Sequence, residues 1–215
     1  MNGRLVARRE LRAPEKDAMF RLLDRHFAGV SRAQFVADLE EKNWVVLIET
    51  GGGDLVGFST LLYSRDDRGS GDAPSVVSSG DTVMDPRAWT SPVLARTWIH
   101  AVRALHAAHG RGTLYSLLLT SGVRTYRFLP LFWRDFYPRY DRATPVETRR
   151  LLDRLARERY GERYDRDAGV VRFPRPQRLR GHLPALAPAR LRGTRTRRSS
   201  CARIPATRGA MSSSA

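Results

Sequence analysis

Two groups of residues in this 215-residue chain have the types and spacing to do chemistry. The first is Met84-Asp85-Pro86-Arg87-Ala88-Trp89-Thr90-Ser91, which reads as a turn between a strand, Ser75 to Met84, and a helix running to about Gly110. A strand that delivers its chain through a short turn to a helix N-terminus offers unpaired backbone N–H groups to an anion such as a phosphate, and Arg87 adds a guanidinium beside them. The second is Asp81, in the same strand, where simple alternation groups it with Val77, Ser79 and Val83. A carboxylate on a partly covered strand beside a cleft can have its pKa raised enough to accept a proton.

Other candidates are weaker. His106 and His109 lie three apart near the end of the long helix, but no acidic third ligand accompanies them, and cations near a helix C-terminus follow from the helix dipole alone. No metal site is expected, because such sites need three or four converging ligands. His26 and His100 read as partly buried helix residues, and His182 falls in the C-terminal tail. Gly-x-Ser-x-Gly is absent, and Thr120-Ser121-Gly122 reads as a turn that ends a strand. The single Cys201 excludes an internal disulfide framework and a cysteine metal cluster.

The elements that must hold these groups are marked by spacing and punctuation. Leu5 to Leu11 alternates loosely as a first strand. Pro14 opens a helix carrying Met19, Phe20, Leu22, Leu23 and Phe27, and Ser31 caps a second with Phe35, Val36 and Leu39. Trp44 to Ile48 and Leu55 to Tyr63 flank Gly51-Gly52-Gly53-Asp54, a hairpin signal because glycine supplies the positive φ of a tight reversal. Thr90 or Ser91 caps the long helix, Pro92 lies in its first turn, and Leu94, Trp98, Ile99, Val102 and Leu105 form its apolar stripe. Leu114 to Leu119 is a fifth strand. Tyr126 to Tyr137 is an aromatic helical segment restarted at Pro130 and ended by Pro138. Glu147 to Glu162 is an amphipathic helix with a mixed charged face.

This order of elements, with the strand-turn-helix from Ser75 to Gly110, resembles the GNAT acyltransferase superfamily over roughly residues 4 to 140. The resemblance implies an α/β (α+β) fold with a mixed, mostly antiparallel sheet flanked by helices. It implies acetyl-CoA or another acyl-CoA as co-substrate, and an amine as acceptor. The pyrophosphate would lie at Val83, Met84, Arg87, Trp89, Thr90 and Ser91, although no glycine stands in that stretch. Asp81 would be the base, and Tyr126, with Tyr137 second, would protonate the leaving thiolate; the packing alternative for both tyrosines is a core ring with its OH bonded at the edge.

Charge and composition set the outer bounds. The net charge is +16, but residues 172 to 215 hold 11 Arg and no acid, so residues 1 to 171 carry only +5. From Pro174 the chain has five prolines and no acidic or aromatic residue, too little apolar surface to offset chain entropy. A folded domain over 1–173 and a disordered Arg/Pro/Ala-rich tail over 174–215 are therefore expected. The tail fits an arm for RNA or DNA, a tether to an anionic surface, or a GC-rich gene read out of frame; contact with nucleic acid is expected only through it. Lys16 and Lys42 stand against 36 arginines, which also suggests a GC-rich coding sequence. Met1 to Lys16 lacks a signal-type apolar stretch and no run approaches the roughly 20 apolar residues of a membrane span, so a cytoplasmic protein without membrane contact is expected. Two function classes stay open: an acyl-CoA-dependent N-acyltransferase, and a non-catalytic binding protein of the same fold with Pro86 and Trp89 filling the cofactor cleft.

Overall fold

A computed structural model describes residues 1–65, 74–110, 112–120, 126, 129–130, 133, 135–139, 141–174, 177–180, 201–203 and 206–209. The short apolar runs become strands and the three-to-four spacings become helices. Strands β1 (Asn2–Ala7), β3 (Trp44–Glu49), β4 (Leu55–Arg65) and β5 (Ser75–Met84) are consecutive antiparallel neighbours, and β6 (Leu114–Leu117) joins β5 in parallel. The helices are α1 (Ala13–His26), α2 (Arg32–Glu40), α3 (Val93–His109) and α4 (Val146–Tyr160). The result is a mixed α/β fold whose mostly antiparallel sheet is flanked by helices.

The unbroken apolar run of β3 follows from cover on both faces. Val45 and Leu47 pack with Phe58 and Val83 against Met19, Leu22 and Leu23 of α1 and Phe35 and Leu39 of α2. Val46 and Ile48 face the other way, joining Leu61, Tyr63 and Val77 beneath Ala101, Val102 and Leu105 of α3. Helix α4 closes the far end of the sheet, with Leu152, Leu155 and Ala156 on Val76 and Leu117. Local signals behave as their chemistry requires. Ser31 Oγ accepts from the Gln34 amide at 3.1 Å, and the β3–β4 reversal places Gly53 at φ +88°.

Some boundaries differ from expectation. Strand β1 ends at Ala7, and Arg8–Glu10 make a 3-10 turn that delivers Leu11 to the core. Helix α3 starts at Val93 with Pro92 as its N-cap, and Ser91 Oγ accepts from the Val93 amide at 3.3 Å. Strand β6 stops at Leu117, short of Leu119. Phe136 and Tyr137 are not helical; they lie in β7 (Asp135–Tyr137), consistent with the extended backbone that a following proline, Pro138, favours. Beyond Pro174, β10 (Arg178–Leu179) pairs with β2 (Phe27–Ala28), β11 (Cys201–Arg203) with β9 (Val170–Arg172), which also pairs with β8 (Tyr164–Asp165), and β12 (Ala206–Gly209) lies between β6 and β7. The rest of the tail expected to be disordered, 175–176, 181–200, 204–205 and 210–215, lies outside the described residues.

Strand β1, helix α1 and strand β3 are tied together by one guanidinium. Arg4 donates to Glu15 Oε1 at 2.7 Å and to both Glu49 oxygens at 2.9 and 3.1 Å, while Glu15 also accepts the Arg12 amide at 2.7 Å in a capping box. The Arg12 guanidinium, foremost, holds the Glu15 carboxyl down at about 2, against the opposing effect of burial. Its folded-state pKa thus lies below its unfolded one, so this stabilisation is complete above the ordinary 4.5 and is lost as pH falls toward 2. The difference in urea midpoint between wild type and Glu15→Gln should be constant from neutrality to about pH 5 and shrink below it as Glu15 protonates. An unchanged acid limb in Glu15→Gln would remove Glu15 from the acid response.

Candidate active site

Strand β5 is bonded to β4 along its length but to β6 only from Ser75 to Ser78, opposite Leu114 to Leu117. The β5–β6 ladder ends at Ser78 and Leu117, where β6 itself ends, so Ser79 to Met84 continue toward α3 beyond that ladder. A β-bulge sits in that portion. Ser59 pairs with Thr82 and Leu61 with Ser79, so Gly80 and Asp81 together oppose Thr60. The extra residue reverses the alternation. Val77 packs under α3 whereas Val83 packs under α1 and α2, which corrects the grouping of Asp81 and Val83 with Val77 and Ser79. Past the bulge, Ser59 Oγ and Thr82 Oγ1 lie 2.8 Å apart and hold the two strands together.

Asp81 is half-buried, and among the described residues no hydrogen bond or ion pair reaches its carboxyl. Burial, and then the nearby Asp38 carboxylate, push it up to about 6; the Lys42 ammonium works in the opposite direction. A carboxyl poised near neutrality with no partner is what a general base requires. Three neighbours escaped the sequence reading. They are the bulge glycine Gly80, Thr60 opposite it, and buried Lys42, whose only signal was a lysine where almost every other cation is arginine.

The turn to α3 is closed upon itself. The buried Asp85 carboxylate caps the 3-10 turn Pro86–Ala88, accepting the Arg87 amide at 3.0 Å and the Arg87 guanidinium through both oxygens at 3.0 Å. Arg87 holds Asp85 down at about 2, so carboxylate and guanidinium form a charged pair that is neutral as a whole. Its amides point inward: Asp85 to Val56 O at 2.8 Å, Ala88 to Asp85 O at 2.8 Å, Trp89 to Pro86 O at 3.3 Å and Ser91 to Ala88 O at 3.0 Å. This corrects the expectation of a turn rich in unpaired N–H groups. For an anion there remain the next amides in the first turn of α3, those of Leu94 and Ala95, which have no helical carbonyl to bond, and the exposed outer face of Arg87. Trp89 folds back so that its indole N–H donates to Met84 O at 2.8 Å. The Val83 side chain is core; Thr90 is exposed and Ser91 half-buried.

The aromatic candidates are engaged in packing. Tyr126 donates its hydroxyl to Pro138 O at 2.7 Å and sets its ring edge against Phe136 at 6.0 Å. Tyr137 lies in β7. Of the two histidines, His106 Nδ1 lies 3.2 Å from the Tyr63 hydroxyl, and His109 stacks on Trp44 at 6.3 Å, so both seat the end of α3 on the sheet. Among the described residues no three His, Cys, Asp or Glu side chains converge as a metal site would need. Ser121 and Gly122 lie outside the described residues.

The parallel β5–β6 pair, the bulge in β5 and a long helix entered directly from β5 thus frame the site. The sequence matches no protein-family model and no curated protein. Among solved structures it is similar to the ribosomal-protein-S18-alanine N-acetyltransferase of Escherichia coli, at 15% identity and a TM-score of 0.46 over 65% of this chain and 86% of that one. A Trypanosoma brucei acetyltransferase is similar at 16% identity and a TM-score of 0.46, over 67% of this chain and 100% of that one. A GNAT-family N-acetyltransferase of Escherichia coli in complex with CoA is similar at 15% identity and a TM-score of 0.44, over 60% of this chain and 68% of that one.

Proposed function

We propose that residues 1–173 form an N-acyltransferase that moves an acyl group from acetyl-CoA or another acyl-CoA to an amine. The observation that supports this most directly is Asp81: an unpartnered carboxyl pushed up to about 6, placed by a bulge in β5 beyond the end of its ladder with β6. The amine nitrogen attacks the thioester carbonyl carbon and its proton passes to the Asp81 carboxylate. The C–S bond then breaks, and the departing thiolate takes a proton from Tyr126. The thioester's phosphates would lie against the α3 amides and Arg87, with backbone groups of Val83, Met84, Trp89, Thr90 and Ser91 along the approach. No helix among the described residues is long and apolar enough to cross a membrane, and a cytoplasmic location belongs to the same reading.

The closed turn favours a second reading, a binding protein of the same fold without catalysis. Trp89 already occupies Met84 O, and Asp85 already occupies Arg87. Calorimetric titration with acetyl-CoA separates the two. Binding is expected, with Arg87→Ala weakening it by about 1 to 3 kcal/mol, the scale of a charge-assisted bond left unmade. Asp85→Asn should tighten it, because the change removes a like charge from the phosphate site and releases the guanidinium. Absence of heat at millimolar thioester would reject the acyltransferase and leave the binding protein. Nucleic-acid contact through the tail predicts that changing Arg190, Arg192, Arg195, Arg197 and Arg198, which lie between β10 and β11, to glutamine abolishes salt-sensitive binding to random duplex DNA; a retained salt slope would place the contact elsewhere on the chain.

A further inference from the structure

Lys42 is one of two lysines beside 36 arginines, and it is buried. It follows the end of α2, and its stem runs over the bulge so closely that a Cβ on Gly80 would lie 2.6 Å from Lys42 Cε and 2.4 Å from Thr60 Oγ1. A buried ammonium must be hydrogen-bonded or paired. Here Nζ donates one bond, at 2.8 Å, to the Asp38 carbonyl, and the exposed Glu41 carboxylate stands at 3.6 Å. The charged groups around it are Asp38 from α2, Glu41 at the cap of α2, Asp81 from β5, and Arg159 from α4, itself bound to Glu41 at 2.8 Å. Arginine would bring a planar, larger and more rigid group to a space bounded by Gly80 and Thr60, so the compact ammonium is the cation this site admits.

We infer that Lys42 is a positioning residue for Asp81, seated by Gly80 so that its ammonium stabilises the Asp81 carboxylate before that carboxylate takes a proton. For its catalytic consequence this rests on the acyltransferase reading; the coupling itself does not. Removing the ammonium leaves Asp81 with burial and Asp38, both of which favour the protonated form, and a base already protonated at neutral pH accepts nothing. Gly80 belongs to the same device, since any side chain there must displace Lys42 or Thr60.

The wild-type chain tests the coupling, because lysine labelled with carbon-13 at Cε gives only two resonances, Lys16 and Lys42. The Lys42 resonance should inflect near pH 6 and that of Lys16 should not; Asp81→Asn should erase the inflection. Lys42→Met should raise the Asp81 midpoint, read from its carboxyl resonance, by on the order of one pH unit, with Glu15 as an unmoved internal reference. Gly80→Ala should move it in the same direction. A Lys42 resonance flat from pH 5 to pH 7, or an Asp81 midpoint unmoved by Lys42→Met, overturns the inference. If Lys42→Met does not fold, the wild-type titration decides. With turnover in hand, the acid limb of the pH–rate profile should follow the Asp81 midpoint in each variant. Coupling without thioester binding would defeat the acyltransferase reading alone, and turnover without coupling would defeat this inference alone.

Discussion

Asp81→Asn is expected to lower turnover of acyl-CoA and amine by about 10²- to 10⁴-fold while leaving thioester affinity nearly unchanged, because the lost group acts on a proton and not on a phosphate. The same substitution has an opposite effect on stability. Asp81 has a folded-state pKa of about 6 against an ordinary 3.8. A raised pKa contributes stability that is complete below the unfolded value and is lost as pH rises through the folded one. Above pH 6 the wild-type chain therefore carries a charge its surroundings disfavour, and the amide variant does not. Urea denaturation at pH 8 should find Asp81→Asn more stable than wild type, and at pH 4 should find no such gain. Lower activity joined to higher stability identifies a carboxyl held for chemistry. A variant that is inactive and also less stable at pH 8 would instead make Asp81 a structural group. Tyr126→Phe is the companion measurement: unchanged turnover would leave the hydroxyl to its bond with Pro138 O alone.

What the sequence made legible was mostly what neighbours in sequence decide. Ser31 caps α2 and Gly53 turns the hairpin because both effects are complete within a few residues. The strand-turn-helix was legible for the same reason. The bulge was not, since it depends on which residues of β4 stand opposite Gly80 and Asp81, and period-two counting carries Asp81 onto the wrong face. The closure of the turn was hidden differently. Asp85 lies within the turn expected to meet a phosphate, yet its side chain supplies an anion of its own and takes the Arg87 guanidinium. Lys42 registered only as a count, because burial is a property of the assembled fold. Phe136 and Tyr137 followed the aromatic pattern into a helix although Pro138 argued for extended backbone.

Phe58→Ala is expected to cost about 3 to 5 kcal/mol of folding stability, the range for deleting a buried aromatic ring. Phe58 is fully buried in β4, pairs in register with Val83, and meets the Phe35 ring of α2 edge-on at 6.5 Å. Its cluster also holds Leu39, one turn further along the same helix. The cavity would thus open under the helix that carries Asp38 near its end and leads into Lys42. Phe35 and Phe58 share contacts, so the double alanine variant should cost less than the sum of the single ones. Denaturation that shows strict additivity, or a loss below about 1 kcal/mol for Phe58→Ala, would mean that α2 is seated by something other than this pair. Where the loss is as expected, carboxyl titration of the folded Phe58→Ala variant should find the Asp81 midpoint displaced, although Phe58 bears no charge: the groups that tune Asp81 are carried by a helix whose seat has been hollowed out.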